Sequence, residues 1–190
     1  MFARTDRLLL RPGWVDDAPV LFNAIRDEAI VRNLASVPWP YRPDDARAFL
    51  ASEHSPQSPH FLIFHRTLGA PQLVGTIGLA RHENGETELG YWIARPFWGL
   101  GYATEAGACV VTLARDGLRL AKLVAGHFVD NPASGRVLEK IGFKDLGRTV
   151  QRYSVGRGTI APCKTFECAL SAEDSDPQPA DFLKAFCMAA

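Results

Sequence analysis

The chain has 190 residues, 47% hydrophobic and 22% charged, with 21 Lys and Arg against 21 Asp and Glu. This composition is that of an ordinary globular domain, and the length suits one sizeable core better than two independent domains. A formal net charge of zero argues against a large basic surface for nucleic acid or a polybasic membrane arm, since both need an excess of Lys and Arg. We therefore expect no nucleic-acid partner and no membrane partner.

The four cysteines and the first residues bear on the compartment. Cys109, Cys163, Cys168 and Cys187 form no C-x-x-C pair, so we expect no metal site, no disulfide framework and a reducing cytoplasm. The opening MFARTDRLLLRPGW places charges where a signal peptide needs an apolar run, and no run approaches the ~18 apolar residues of a membrane span. The sequence predicts a protein neither exported by this segment nor inserted in a membrane.

The first half of the chain predicts a strand, two helices and a strand meander. Residues 7–11 form a short apolar run that is typical of a strand. A helical pattern opened by Asp16 and Asp17 continues to Leu34, and a second one spans residues 44–54. Three β-rich runs separated by Gly, Asn and Pro then indicate an antiparallel meander: 61–64, 73–79 and 88–93.

The second half mixes helices and strands. A helical stripe starts at Thr104, a strand follows over 122–129, and Asn131 with Pro132 opens a helix that Gly142 ends. The last strand is predicted over residues 165–170. The fold class is therefore α+β, with one largely antiparallel sheet and a βαβ-like second half.

The composition shifts after residue 170, where SAEDSDPQPA reads as a linker. Residues 181–188 after it predict one or two amphipathic turns with Phe182, Leu183 and Phe186 on one side. We expect a folded domain over 1–170 and a linker with a short amphipathic segment over 171–190.

The most informative stretch is ELGYWIARPFWGLGYATEA, residues 88–106. A strand ends at Ile93, a loop carrying Gly99 and Gly101 follows, and a helix starts at once. Glycines let a ligand approach the backbone, and the unpaired N–H groups of a helix N-terminus attract anions, which outlines a phosphate cradle. A tight strand-to-helix turn explains two glycines equally well. No G-K-[ST] follows as in a Walker loop, and the match to a Rossmann fingerprint is poor.

Five segments in order resemble the GNAT superfamily of acyl-CoA-dependent N-acetyltransferases, and within it the RimJ/RimL type. They are residues 5–12 (TDRLLLRP), 73–78 (LVGTIG), 88–93 (ELGYWI), 98–106 (WGLGYATEA) and 131–143 (NPASGRVLEKIGF). The resemblance implies the GNAT fold, a mixed, mostly antiparallel sheet flanked by helices and splayed between its fourth and fifth strands. Those strands would be 88–93 and 122–129, with acetyl-CoA in the opening.

The resemblance also implies which residues hold acetyl-CoA. The family's pyrophosphate loop begins with Gln or Arg, where this sequence has Trp98, and that departure puts the contact of the first position in doubt. The pantetheine arm would run along the strand end near Ile93 and Ala94, facing the next helix. The implied cofactor-binding residues are Ile93, Ala94, Trp98, Gly99, Leu100, Gly101, Tyr102, Ala103, Thr104, Asn131 and Ser134.

Acetyl transfer to an amine needs a base for the ammonium proton. At pH 7 an α-amine with a pKa of about 8 costs only ~1.4 kcal/mol to deprotonate, and a lysine near 10.4 costs ~4.6 kcal/mol. Glu88 is the preferred base, because strand alternation puts it on one face with Gly90 and Trp92. Glu105 and His127 compete with it. Each also has a structural explanation: a solvated acid, a carboxylate favoured by the helix dipole, and a hydrogen-bonded core histidine.

Three further groups have open roles. Ser134 is the preferred donor of a proton to the departing thiolate, with Tyr153 as the alternative. Trp14, Trp39 and Tyr41 either line an acceptor pocket or pack in the core. Arg148, Arg152 and Arg157 give the loop before the last strand positive charge, which either solvates that loop or contacts a phosphate or an acidic acceptor.

We therefore expect an enzyme that transfers acetyl from acetyl-CoA to a primary amine, either a peptide N-terminal α-amine or a small-molecule amine. The alternative is a GNAT-like module that binds acyl-CoA as a sensor or scaffold without efficient transfer, and a nucleotide-binding role of the glycine loop ranks third. The acceptor cannot be read from the loops. Oligomeric state is also open, with a homodimer through an exposed strand edge or the C-terminal tail as the expectation.

Overall fold

The structure, a computed structural model, describes residues 1–52 and 55–170. Its strands are β1 (Ala3–Arg4), β2 (Leu8–Arg11), β3 (His60–His65), β4 (Gln72–Arg81), β5 (Thr87–Ile93), β6 (Lys122–Phe128), β7 (Lys144–Ser154) and β8 (Thr159–Ala169). Its α-helices are α1 (Ala18–Ile25), α2 (Glu28–Val31), α3 (Pro43–Ala51), α4 (Tyr102–Thr112) and α5 (Pro132–Lys140).

The strands form one mixed sheet in the order β1-β2-β3-β4-β5-β6-β8-β7. All neighbours are antiparallel except β5 and β6, whose parallel pairing is limited to Glu88 opposite Val124. Beyond this pair the two strands diverge, so the sheet splays open toward their C-terminal ends. The predicted α+β class and the predicted opening are confirmed. The strands around it are fifth and sixth in this chain, because the two-residue β1 precedes the others.

Apolar residues cover both faces of the sheet, as the alternation along β3 illustrates. Phe61 and Ile63 point to the face covered by α4 and α5, whereas Leu62 and Phe64 point to the face covered by α1 to α3. All four side chains are buried. This two-sided burial fixes the strand register, since a slip by one residue would exchange the faces.

Residues at the helix ends determine where α4 and α5, the two helices that border the opening, begin or end. Gly101 precedes α4 with φ 81, a left-handed conformation that glycine adopts without strain, and the helix begins two residues before the predicted Thr104. At α5 the predicted ends are confirmed. Asn131 is the N-cap with Pro132 after it, and Gly142 has φ 94 while the Phe143 N–H donates to the Leu138 carbonyl at 2.9 Å.

The prediction of one helix continuing to Leu34 was wrong. The chain leaves the helix at Arg26, and Asp27 starts a new one by accepting a hydrogen bond from the Ala29 N–H at 2.9 Å. An Asp that caps a helix separates two helical segments that share one hydrophobic period. The helix predicted over 44–54 is α3, and its predicted end at His54 lies outside the described residues.

A long hairpin replaces the predicted loop before the last strand. Residues 144–154 form β7, and β8 starts at Thr159, six residues before the predicted strand. Nearly every residue of β7 is exposed, so the strand carries no alternation of buried and solvated side chains for a sequence pattern to reveal.

The sequence also predicts a C-terminal linker with a short amphipathic segment, and no membrane-spanning helix. The predicted linker and amphipathic segment, residues 171–190, lie outside the described residues. Over the part of the chain that the structure describes, each helix is too short or too polar to cross a bilayer.

Candidate active site

A cleft of about 1220 Å³ opens where β5 and β6 diverge. One wall is the glycine loop, the start of α4 and the face of α5. The other wall is built by the segment between α2 and α3, by α3 itself, and by the β4–β5 hairpin. The opening in the sheet therefore joins the N-terminus of α4 to the part of the cleft that is lined by α3 and the β4–β5 hairpin.

The glycine loop has the geometry of an anion cradle. Gly99 and Gly101 have φ 75 and φ 81, and a Cβ placed on Gly99 would meet no atom within 4 Å. In the first backbone hydrogen bond of α4, the Glu105 N–H donates to the Gly101 carbonyl at 3.1 Å. The N–H groups of the preceding helical residues therefore have no carbonyl of their own helix to bind. Together with the positive end of the helix dipole, this suits a pyrophosphate.

Trp98 ties this loop to the end of β5. Its ring N–H donates to the Ile93 carbonyl at 2.6 Å while the ring is 46% exposed and borders the cleft. Where the family pattern has Gln or Arg, which could contact a phosphate, this chain has Trp98, whose ring N–H fixes the loop to the end of β5.

Two of the predicted cofactor-binding residues do not line the cleft. Ala94 is buried and its N–H donates to the Val74 carbonyl at 2.8 Å. Leu100 is exposed, and its carbonyl accepts from Arg7 Nη1 at 3.0 Å. The residues of that set that do border the cleft are Ile93, Trp98, Gly99, Gly101, Tyr102, Ala103, Thr104, Asn131 and Ser134.

Glu105 anchors the start of α4 to the turn between β1 and β2 and does not line the cleft. It accepts hydrogen bonds from the Thr5 hydroxyl at 2.5 Å and from the Arg7 Nε at 2.7 Å. Burial alone would raise the pKa of Glu105, but the hydrogen bonds from Thr5 and Arg7 outweigh it and hold the pKa below its usual value. The geometry supports the structural explanation of this carboxylate.

Glu88 lies in the cleft, held by two side chains. Arg152 on β7 donates to both of its oxygens, from Nη1 to Oε1 and from Nη2 to Oε2 at 2.9 Å. His82 Nε2 lies 2.8 Å from the same Oε2. Burial would raise the pKa of Glu88, but the hydrogen bonds and charge of Arg152, aided by His82, outweigh burial and lower it. Glu88 is therefore an ionised carboxylate with strong partners.

The strand face that carries Glu88 forms part of the cleft wall. Glu88, Gly90 and Trp92 pair with Ala80, Gly78 and Thr76 of β4, and all six border the cleft. A Cβ on Gly90 would meet nothing within 4 Å. Gly90 therefore leaves open space between the carboxylate and the indole ring, on the face that alternation predicts.

Ser134 is paired with a tyrosine that the sequence reasoning did not select. The Tyr91 hydroxyl lies 2.8 Å from Ser134 Oγ and 3.2 Å from its carbonyl. Burial raises the pKa of Tyr91 to about 12, although the hydrogen bond with Ser134 acts against it. Strand alternation could have identified Tyr91, since it lies on the face opposite Glu88, toward α5. Tyr153, the predicted alternative, is 56% exposed and outside the cleft.

His127 borders the cleft but is committed to the core. It is 7% exposed, and its Nδ1 lies 2.8 Å from the Phe128 carbonyl, which requires the proton on Nδ1. The ring packs closely enough on Gly135 that a Cβ there would lie 2.7 Å from Nε2. These contacts support the core-histidine explanation.

Of the predicted acceptor-side aromatics, only Tyr41 borders the cleft, whereas Trp14 and Trp39 are exposed outside it. Burial, with the charge of Asp45, raises the pKa of Tyr41 to about 12. The three arginines predicted in the loop before the last strand have different environments. Arg152 holds Glu88, Arg157 pairs with Asp130 at 2.8 Å, and Arg148 is exposed on β7, so a hairpin replaces the predicted loop and two of its three arginines are paired with carboxylates.

The comparisons with known proteins agree with this geometry. The family model of the acetyltransferase (GNAT) domain matches residues 7–144. The uncharacterized N-acetyltransferase YoaA of Bacillus subtilis (strain 168) is 30% identical over 162 residues, which cover 82% of this chain and 89% of that protein.

Solved structures share the fold at lower identity. The GNAT-family acetyltransferase from Bacillus anthracis superimposes with a TM-score of 0.76 at 20% identity, covering 90% of this chain and 99% of that chain. RimL, a ribosomal L7/L12 alpha-N-protein acetyltransferase in complex with coenzyme A, gives 0.72 at 18% identity, covering 89% and 98%. With a family model matching well over half of its length, the chain belongs to the GNAT family of acetyltransferases.

Proposed function

We propose that this protein is an N-acetyltransferase of the RimJ/RimL type that transfers acetyl from acetyl-CoA to a primary amine. The observation that carries the proposal is that the cradle at the start of α4 and the ionised Glu88 open onto one cleft. The alternative of an acyl-CoA sensor without transfer is not favoured, because this cleft also carries Ser134 with its hydrogen-bonded Tyr91.

Acetyl-CoA would be held by the N-terminal turn of α4 and by α5. The backbone N–H groups of the glycine loop and of Tyr102, Ala103 and Thr104 would bind the pyrophosphate. Asn131, whose side chain makes no capping hydrogen bond to α5, and Ser134 would face the pantetheine arm. Bound there, acetyl-CoA supplies an activated thioester.

The chain's own residues would then move two protons. Glu88, the base that the sequence predicts, is proposed as the carboxylate that supports removal of the ammonium proton, directly, through a water or through a neighbouring side chain. The neutral amine attacks the thioester carbonyl carbon, the C–N bond forms and the C–S bond breaks. Ser134 is proposed to donate a proton to the departing thiolate, and Tyr91 can restore it through the hydrogen bond between the two hydroxyls. Tyr91 then regains its proton from water after the products leave.

The acceptor is proposed to be a peptide N-terminal α-amine or a small-molecule amine. RimL, by its description, acts on the α-amine of a ribosomal protein. An α-amine also needs less help from the ionised Glu88 than a lysine does, because its pKa is lower. A reducing cytoplasm and a homodimer remain predictions from the sequence.

The proposed function is tested by acetyl transfer to a panel of amines, followed as free thiol release and confirmed by mass spectrometry. We expect one class of acceptor, a peptide beginning with Ala or Ser or a small amine such as spermidine, to be acetylated with saturation. Thermal shift with acetyl-CoA, ATP and NAD separates the family function from nucleotide binding. Acetyl-CoA binding without transfer to any acceptor would instead support the sensor.

A further inference from the structure

His82 opens the turn between β4 and β5 and borders the cleft beside the proposed base. Its Nε2 lies 2.8 Å from Glu88 Oε2, and its side chain is 44% exposed. Glu88 is 15% exposed and is held at both oxygens by Arg152. The structure thus places an imidazole between a fixed carboxylate and solvent.

The contact selects one tautomer of the ring. Both partners would present lone pairs to each other if Nε2 of His82 were unprotonated, because an ionised carboxylate only accepts hydrogen bonds. The neutral ring therefore carries its proton on Nε2 and donates it to Glu88 Oε2. This leaves Nδ1 as the atom with a free lone pair.

The two hydrogen bonds from Arg152 to Glu88 disfavour protonation of this carboxylate. Protonation would break charge-assisted hydrogen bonds from Arg152, which are about twice as strong as neutral ones. Proton transfer by a positioned side chain is most often the role of a histidine, and Nδ1 of His82 can take a proton without breaking the hydrogen bond between Nε2 and Glu88.

We propose that His82 Nδ1 is the atom that accepts the ammonium proton, and that Glu88 is the positioning residue that fixes its tautomer and stabilises the imidazolium. This rests on the proposed function, and it assigns the deprotonation step to a residue outside the predicted site.

The step conserves charge and atoms. The acceptor ammonium, or a water hydrogen-bonded to it, gives a proton to Nδ1, and the amine keeps the electron pair that forms the amide C–N bond. The ring becomes an imidazolium that donates to Glu88 from Nε2. Because His82 is partly exposed, the proton can pass from Nδ1 to water after each turnover.

The surroundings of the pair are compatible with a charged ring. Arg152 on β7 and Cys163 on β8 face the carboxylate, and Glu83 and Glu86 lie on the same turn as the ring. Glu86 pairs with Lys122 at 3.6 Å. Arg152 is the opposing cation, and Glu88 lies between it and the ring, since the carboxylate is hydrogen-bonded to both.

The test is the pH profile of kcat/KM for the best acceptor of the panel of Ala- and Ser-initiated peptides and spermidine. In wild type, kcat/KM should rise with pH through one enzyme group. H82Q should lower kcat/KM about 10²-fold at pH 7 and abolish that rise. E88Q should keep the rise but move it to lower pH, because the imidazolium loses its counter-charge. E86Q, which removes a carboxylate from the same turn, should behave as wild type.

Acetyl-CoA affinity and the tautomer of His82 are measured beside the pH profile. Acetyl-CoA binding by calorimetry should be unchanged in H82Q, which separates a lost base from a lost fold. Nitrogen NMR of the histidine ring should report the Nε2–H tautomer in wild type and a mixture in E88Q.

The two proposals fail in different ways. Wild-type turnover in folded H82Q, or loss of the pH-dependent rise in E88Q but not in H82Q, overturns the role of His82 and leaves the acetyltransferase intact. A wild-type protein that acetylates no acceptor contradicts the proposed function, and the inference falls with it.

Discussion

At the residue scale, the chemistry of the cleft depends on how its two sides hold protons. Glu88 is kept ionised by Arg152 and His82, on the side proposed for the acceptor. Tyr91 is kept protonated by burial beside Ser134, on the side proposed for acetyl-CoA. Both residues belong to β5 and point to opposite faces, so in the proposed reaction this strand lies between the amine that loses a proton and the thiolate that gains one.

The first prediction concerns Glu88. Replacing it by Gln keeps the size and the hydrogen bond but removes the charge that supports proton transfer, so kcat/KM should fall about 10²-fold at pH 7. Raising the pH should partly restore the rate, because more of the acceptor is already neutral. Steady-state kinetics over pH 6 to 9 measures this. Unchanged turnover across that range, with Glu105→Gln inactive but folded, would assign the role to the wrong carboxylate.

The second prediction separates Ser134 from Tyr91. Ser134→Ala removes the proposed donor and should lower kcat more than acetyl-CoA affinity, without the rescue at high pH seen for Glu88→Gln. Tyr91→Phe keeps the ring but breaks the relay to Ser134, so kcat should fall less than in Ser134→Ala. The two kcat values and the two dissociation constants are compared directly. Equal loss of affinity and kcat would make the pair a binding element only.

Sequence patterns could predict this site only where local spacing determines it. Alternation predicts that Glu88, Gly90 and Trp92 share a face, and the structure places all three on the cleft wall. It cannot predict that Arg152 reaches Glu88, because the two are 64 residues apart and belong to strands separated by β6 and β8. Partners of this kind depend on the strand order of the whole sheet.

At the element scale, the loop before α4 combines two positive-φ glycines with a free helix end. The Arg7–Glu105 pair fixes the helix to the turn just before β2, and the Trp98 ring fixes the loop to β5. The loop is thus held at both ends by side chains, which would leave its backbone N–H groups free to bind the proposed pyrophosphate.

The third prediction tests the cradle. Gly101→Glu places a side chain and a negative charge at the helix N-terminus, where its Cβ would lie 3.4 Å from Arg7, and it should abolish the thermal shift with acetyl-CoA. Gly158→Glu is the matched control, since Gly158 also has a positive φ of 64 and open space around its Cβ but lies outside the cleft. Intact acetyl-CoA affinity in Gly101→Glu would remove the cradle from the mechanism.

Elements with strong end signals could be predicted, and elements without them could not. Asn131 with Pro132 and Gly142 bound α5 where the sequence predicts its ends. The hairpin of β7 and β8 has a glycine in its turn, Gly158 with φ 64, but β7 is exposed on both faces along nearly its whole length, so no apolar alternation marks the strand. The break before Asp27 was missed because the apolar spacing continues across it.

At the scale of the whole molecule, ionised carboxylates couple stability to pH. Glu105 has a folded-state pKa held below the usual value of 4.5 by Thr5 and Arg7, against the effect of burial. A lowered folded-state pKa means that the stabilisation is complete above the unfolded-state value of about 4.5 and is lost as the pH falls through the folded-state value.

The fourth prediction concerns the pH dependence of the stability that Glu105 contributes. Glu105→Gln should lower the free energy of unfolding by roughly 1 kcal/mol at pH 7, a modest value because Arg7 is half exposed. The difference from wild type should shrink below pH 4. Urea unfolding at a series of pH values measures both. A constant difference at all pH values would show that Glu105 stabilises by packing and not by charge.

The fifth prediction concerns where the domain ends. Leu170 is 5% exposed and its N–H donates to the Ala121 carbonyl at 2.8 Å, while β8, just before it, lies between β6 and β7 in the sheet. Among the described residues, Leu170 is the last to enter the main apolar cluster, and it directly follows the final strand of the sheet.

Deleting residues 171–190 should therefore leave cooperative unfolding and the thermal shift with acetyl-CoA nearly unchanged, because the removed chain is a Pro- and Asp-rich segment and a short amphipathic stretch. Deleting 169–190 is the matched control, and it should be strongly destabilised, since it also removes the buried Leu170 and the end of β8. If the shorter deletion alone abolishes cooperative unfolding, then Phe182, Leu183 and Phe186 complete the core, and the domain extends beyond residue 170.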